Sequence, residues 1–367
     1  MGNAFWFSWE PRVIIFLQSR VTPLSQKIFE SITFFGDEYA MILIIGFLYW
    51  GYKKELGRKI GLYATTALIT SVALGNIVMR RRPYFDHNEI RCLKPRTSKG
   101  DPYDIAIQGF SFPSGHATNS VSTYAALGCN VKKKALKIVL FLIPVIIGIS
   151  RIVLGVHYPT DVLAGWIISA LVILVISHIK NQYIVYFIMA LIGIAGCFFS
   201  KSTDYFSTLG ITFGFIAGFI FEEKRVHFKN TEKVYGMILR TIGGLILFVL
   251  VDKILEIPFS KEFLSSASGL SFMVRTIRYT IASFTVIGIY PMLFGYVDKK
   301  RQRQGNKEQV YRYVMYYSLT TAYQDYSISN RLFHWQSQST LRRVLPLDNV
   351  LFQVEEKQGK FFCSFVN

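Results

Sequence analysis

Long, nearly uninterrupted apolar runs recur along this chain at close to the ~20 residues a helix needs to cross a bilayer, and short basic clusters separate them. Ile60–Met79, Asn181–Ser200 and Tyr279–Val297 carry no charge, Val162–Ile179 carries only His178, and Tyr205–Phe221 is uninterrupted. Ser114–Val131 and Ala135–Leu154 are also apolar, with His116 and Arg151 near one end, where a charge must meet water or a partner. Tyr39–Tyr52 is shorter, and Val234–Val251 contains Arg240. These runs predict an all-α fold, a polytopic transmembrane helical bundle of about nine spans. Of 367 residues, 51% are hydrophobic and 17% charged, with a mean hydropathy of +0.33, a balance that excludes both a disordered chain and an ordinary cytosolic enzyme.

Lysine and arginine total 41 against 23 acids, for a net charge of +18. Much of that charge sits in Tyr52–Lys59, Val131–Lys137, Glu222–Lys233 and Asp298–Arg303, between or just after apolar runs. This is loop charge facing anionic lipid, so no nucleic-acid partner is expected. If the loop at 53–59 is cytoplasmic, parity places 131–137, 222–233 and 298 onward on the cytoplasmic side of the cell membrane as well, and 80–113, 151–160, 200–204 and 252–278 outside. The loop at 80–113 breaks the rule, because Arg80, Arg81, Arg82, Arg91, Lys94, Arg96 and Lys99 all fall outside. Such an excess either inverts the topology or is kept to bind an anion.

The remaining segments are plainer. Residues 1–37 mix Phe5, Trp6, Phe7 and Trp9 with Arg12, Arg20 and Lys27, a pattern for amphipathic helices at the interface. Trp6, Trp9 and Trp50 read as interface anchors. No cleavable signal peptide is expected, so the first span serves as the export signal. Gly210, Gly214 and Gly218 suit close helix packing. Cys92, Cys129, Cys197 and Cys363 have no metal-ligand spacing. From Asp298 the chain turns polar, a cytoplasmic tail whose end, Val350–Val366, alternates around Lys357-Gln358-Gly359 like a hairpin. The expected organisation is an interfacial segment at 1–37, a membrane core at 38–180, additional helices at 181–297 and a tail at 298–367.

Three polar clusters interrupt the apolar background: Arg80-Arg81-Arg82-Pro83, Pro113-Ser114-Gly115-His116, and Ser150-Arg151 followed by His157 and Asp161. Parity puts all three on one membrane face, where each suits phosphoryl chemistry. Guanidinium groups such as Arg82 and Arg151 grip phosphate oxygens through paired, charge-assisted hydrogen bonds. Pro113-Ser114-Gly115 is a helix start, so backbone N–H groups there point at an anion. His157 and Asp161, four apart, can share a helical face, the carboxylate holding one imidazole nitrogen while the other attacks. His116 is left as general acid for the leaving alcohol.

These residues resemble the type 2 phosphatidic acid phosphatase superfamily, whose pattern is Lys, six residues, Arg-Pro; then Pro-Ser-Gly-His; then Ser-Arg, five residues, His, three residues, Asp. The second and third elements match in full at Pro113–His116 and Ser150–Asp161, and the similarity covers roughly residues 30–180. The resemblance implies a metal-independent membrane phosphatase of lipid phosphates, with no cofactor. His157 would be the nucleophile that becomes a phosphohistidine, Asp161 its orienting group and His116 the proton donor, with Arg82, Arg151, Ser114 and Gly115 on the phosphoryl oxygens. Where the family has lysine this chain has Gly75, which removes one phosphate ligand and makes Arg80 the nearest replacement. A Gly75→Lys change is then expected to leave activity equal or higher. Transfer to a second lipid instead of water, and a weakened lipid-phosphate binder or transporter, are the alternatives. In the tail, Tyr323–Ser329 and Leu332–Thr340 resemble part of an uncharacterised domain found C-terminal to some bacterial helicases and nucleases.

Overall fold

The computed structural model describes residues 2–95, 101–295, 343–347, 350–357 and 360–366. The chain divides into two compact units, Met1–Asp298 and Lys299–Asn367. The first opens with α1 (Trp9–Gln18) and α2 (Pro23–Phe34), followed by α3 (Glu38–Tyr52), bent 44° from α2. Next come α4 (Lys54–Val78), the short α5 (Pro83–Asp86) and α6 (Ile105–Gln108), then α7, which runs from Gly115–Ser120 through a π-helical turn at Val121–Ala125 to Ala126–Cys129. Helices α8 (Lys134–Val153), α9 (Pro159–His178), α10 (Gln182–Gly196), α11 (Thr203–Val226), α12 (Val234–Glu256), α13 (Lys261–Ser265) and α14 (Gly269–Gly295) complete it.

Among the described residues, α4, α8, α9, α11, α12 and α14 are long and apolar enough to cross a membrane, six helices, or seven if α2 and α3 form one bent span. The three other expected spans correspond to α3, α7 and α10. The 15 residues of α10 rise about 22 Å, short of a ~30 Å hydrocarbon core, and α3 and α7 are no longer. Helix α14 begins well before the expected Tyr279, taking Arg275 and Arg278 into its first turns. Partners make this possible: Arg278 donates to Asp252 at 2.8 Å, and Arg275 to the Leu264 carbonyl at 2.7 Å.

Chain ends alternate between the two ends of the bundle. Lys54 meets Glu222 (3.1 Å) and Asn230 (2.7 Å), and Lys59 reaches Asn130 (3.3 Å), so those loops share one end. At the other, Asn76 donates to Ser202 (3.2 Å), Gln18 reaches the carbonyls of Arg91 and Val153, and Ser111 donates to Asp161. Helix α11 lies tightly on α14, where a Cβ at Gly210 or Gly214 would stand 2.5 Å from the carbonyl of Thr276 or Thr280, so glycine sets the approach. Ile138, Val139, Leu142, Ile146 and Ile149 on α8, and Ile238, Leu239, Ile242 and Ile246 on α12, face outward, as a lipid-bathed surface requires.

Trp50 is no interface anchor. It is buried, donates to the Val286 carbonyl at 3.1 Å and packs on Gly244, pinning α3 to α12 and α14, whereas Trp6 and Trp9 are exposed. Arg240 is likewise buried, its guanidinium over the Phe294 ring and donating to the Lys229 carbonyl.

In the second unit, β1 (Arg343–Leu347), β2 (Val350–Lys357) and β3 (Lys360–Val366) form an antiparallel sheet in that order, with Lys357 opposite Lys360. The hairpin thus forms where the alternation placed it, a small sheet among described residues that are otherwise mainly helical. The tail segments Tyr323–Ser329 and Leu332–Thr340 lie outside the described residues.

Candidate active site

Helix α4 ends at Met79, whose left-handed backbone (φ 50°) turns the chain out of the helix and sends three successive arginines to three different partners. Arg82, extended before Pro83, donates to the carbonyls of Gln108 (2.7 Å), Gly109 (3.2 Å) and Val156 (3.2 Å). Arg81 pairs with Asp86. Arg80 turns inward, only 2% exposed, and binds Glu10 (2.6 Å), Asp161 (2.7 Å), the Thr160 hydroxyl (2.8 Å) and the Phe5 carbonyl (2.9 Å), its face over the Tyr158 ring. With its donors so engaged it stands behind Asp161. This placement corrects the expectation that Arg80 replaces the missing lysine on phosphate.

Asp161 is set by the start of α9. Pro159 opens the helix, and the Asp161 carboxylate, two residues on, accepts from the Tyr158 N–H at 2.8 Å, a local cap that fixes the side chain. It also accepts from the Ser111 hydroxyl at 2.5 Å. His157, 3% exposed, does not bond Asp161 directly: Nδ1 lies 3.9 Å from the carboxylate but 2.7 Å from the Ser111 carbonyl. A carbonyl only accepts, so Nδ1 carries the proton and Nε2 the lone pair. The expected direct Asp161–His157 contact therefore runs through Ser111, which takes the imidazole on its carbonyl and gives its hydroxyl to the carboxylate. Burial pushes His157 down to about 4, with Arg82 and Arg151 adding to the shift and Asp161 opposing it, so the ring is neutral at pH 7.

The second cluster meets the third through Ser114, whose N–H donates to the Asp161 carbonyl at 3.0 Å while its buried hydroxyl has no protein partner. A Cβ at Gly165 on α9 would stand 2.7 Å from the Ser114 carbonyl, so α7 and α9 cross in contact there. A Cβ at Gly115 would meet nothing within 4 Å, the open side of the α7 start. His116 follows, partly exposed, with Nε2 3.9 Å from Asp37. Arg151, near the end of α8, donates to the Thr33 hydroxyl at 3.0 Å, and its buried Nε lacks a partner. Two histidines, two arginines and an unpaired hydroxyl thus gather at one end of the bundle. Gly75 is in contact too: a Cβ there would lie 3.0 Å from the Phe112 carbonyl, just before Pro113-Ser114. Among the described residues no group of three or more His, Cys, Asp or Glu is placed to hold a metal ion.

Residues 57–184 match the model of the PAP2 superfamily, and residues 206–302 match that of the PAP2 superfamily phosphatase transmembrane extension. The chain therefore carries a PAP2 superfamily domain followed by a PAP2 transmembrane extension. It is 31% identical over 140 residues to an undecaprenyl-diphosphatase of Sulfolobus acidocaldarius, covering 37% of this chain and 61% of that one. It is 37% identical over 82 residues to phosphatidylglycerophosphatase B of Bacillus subtilis, covering 20% and 40%. A crystal structure of Aquifex aeolicus LpxE superimposes with a TM-score of 0.40 at 23% identity, over 46% of this chain and 94% of that one. The chain thus spans about three-fifths and two-fifths of the length of those two curated relatives. Within the PAP2 domain fall all three polar clusters and Ser111. Glu10 and Thr33 precede it, and nothing in their sequence context marks them: one is an acid among aromatics, the other a hydroxyl in an amphipathic helix.

Proposed function

We propose that this PAP2 protein hydrolyses a phosphate monoester or diphosphate of a membrane lipid through a phosphohistidine, at the extracytoplasmic surface of the cell membrane. The observation that carries the reading is His157: buried, neutral, with its proton fixed on Nδ1 by the Ser111 carbonyl, its lone pair left on Nε2, and the positive charges of Arg82 and Arg151 acting on the ring. The two curated relatives named above, each a lipid phosphatase by its name, support the same class of reaction. The outward face follows from loop charge, since the basic loops at 53–59, 131–137 and 222–233 belong at the opposite end. A site at headgroup depth receives an amphiphile's phosphate without drawing its tail from the bilayer.

In the first step Nε2 attacks phosphorus, the bond from phosphorus to the leaving oxygen breaks, and His116 gives that oxygen its proton. Arg82, Arg151 and the Ser114 hydroxyl hold the phosphoryl oxygens, where charge builds in the transition state. In the second step water, giving its proton to His116, attacks the phosphohistidine; the P–N bond breaks, phosphate leaves and both rings return to their starting states. Asp161, held by Arg80 and Ser111, stabilises the charge that forms on His157.

The test is phosphate release from a panel of lipid phosphates in detergent with EDTA present, by wild type and His157→Ala. Wild type releases phosphate and the variant does not; full activity in His157→Ala overturns the nucleophile assignment.

A further inference from the structure

The loop at 80–113 holds one more cation at the site. The Lys94 ammonium donates to the Glu30 carbonyl at 2.9 Å, and Arg151 donates to the Thr33 hydroxyl at 3.0 Å. Glu30 and Thr33 lie three apart on α2, about 4.5 Å of helix rise, so the two cations dock side by side on one helix. The following corner carries Gly36, where a Cβ would sit 3.2 Å from that of His116, and Asp37, 3.9 Å from the His116 ring. Burial, then Arg151, Arg82 and, least of the three, Lys94 hold the His116 ring below the usual histidine range, a repulsion that an anion entering among these cations offsets. The α2–α3 corner therefore gathers Lys94, Arg151 and His116 on one side of the site.

We propose that Lys94 holds the leaving phosphate of a lipid diphosphate, which makes this site selective for diphosphates over monoesters; the inference rests on the phosphatase reading above. His116 protonates the leaving oxygen, so the cation beside it lies on the leaving-group side of the transferred phosphorus. Charge count agrees. A phosphate monoester carries about two negative charges at pH 7, matched by Arg82 and Arg151, and a diphosphate ester carries about one more. Lys94 has two further N–H donors beyond the one spent on Glu30. Burial and the neighbouring Arg151 hold its ammonium below the usual lysine range, with Glu30 and Asp37 pulling it back, and an anion between the two cations would relieve that repulsion. Gly75 fits the same picture: a cation is missing where the family pattern has lysine, and another is supplied from a different loop, at a different place around the substrate.

The experiment compares farnesyl diphosphate, farnesyl monophosphate and inorganic diphosphate as substrates of wild type, Lys94→Ala and Lys94→Arg in detergent. Lys94→Ala lowers the diphosphate-to-monophosphate ratio of kcat/KM about tenfold, the loss of one charge-assisted hydrogen bond, and Lys94→Arg retains most of the ratio. An unchanged ratio in Lys94→Ala, whether both rates fall or neither does, overturns the proposal, as does a wild-type preference for inorganic diphosphate over the farnesyl ester. Farnesyl monophosphate hydrolysis that needs His157, alongside an unchanged ratio, leaves the phosphatase reading standing alone. Cleavage of none of the three by wild type sinks both.

Discussion

Replacing Glu10 by glutamine perturbs Asp161 from a segment that carries no motif. Glu10 is fully buried, with one carboxylate oxygen 2.6 Å from Arg80 and 2.8 Å from the Phe7 N–H, and the other 2.5 Å from the Thr160 hydroxyl and 3.2 Å from its N–H. Every contact asks for an acceptor, so the amide introduced by Glu10→Gln must turn its NH2 toward a donor whichever way it lies. Removing one partner from a buried ion pair costs about 3–5 kcal/mol. Because Arg80 keeps Asp161 at 2.7 Å, the lower end of that range, about 3 kcal/mol of stability, is expected here. If about half of that loss appears as misorientation of Asp161 and His157 in the transition state, kcat falls about tenfold. Thermal unfolding in detergent measures the first quantity and steady-state kinetics the second. A merely structural role would leave the pH profile alone, whereas loss of a negative charge from the Glu10–Arg80–Asp161 group disfavours imidazolium and moves the acid limb lower. A Glu10→Gln protein with wild-type melting temperature, kcat and pH profile would refute the argument that Glu10 holds the aspartate in place.

The acid limb of kcat/KM for wild type is expected near pH 4 rather than near the ordinary histidine value, because His157 must be neutral to attack and burial holds it down to about 4. A limb at pH 6–7 that tracks His157 would contradict the burial argument. The same shift bears on stability: the unfolded chain binds this proton more readily, so His157's contribution is full above about pH 6.5 and is lost as pH falls toward 4, which acid unfolding followed by tryptophan fluorescence can check. Gly75→Lys is expected to lower activity, the reverse of what the family pattern alone suggests, because its Cβ meets the Phe112 carbonyl at 3.0 Å and displaces the Pro113-Ser114 segment. Gly75→Ala serves as control; a lysine variant faster than both alanine and wild type would show that the segment yields and the ammonium reaches phosphate.

The membrane character, the three polar clusters and their common end of the bundle were legible because each depends on local pattern: apolar runs of spanning length, a proline opening a helix, a histidine and an aspartate four apart. Span number was harder. An apolar run does not show how much of it is helical, since Asn181–Ser200 holds a helix of only 15 residues, and charges such as Arg275 and Arg278 hide a helix start until Asp252 supplies a partner. Trp50 misled for a similar reason, since a tryptophan near a span end looks alike whether it faces headgroups or a neighbouring backbone carbonyl.

By itself the chain of residues determined which chemical groups are present and which end of the bundle they share, because both are set by periodicity and parity along the backbone. Tertiary structure decided their roles. It turned Arg80 toward Asp161 and Glu10, placed the Ser111 carbonyl between carboxylate and imidazole, closed Gly75 against Phe112 and brought Lys94 beside Arg151. Hydrogen bonds act over about 3 Å, and no spacing in sequence fixes a contact of that range between residues 70 or 80 positions apart; only the packed helices do.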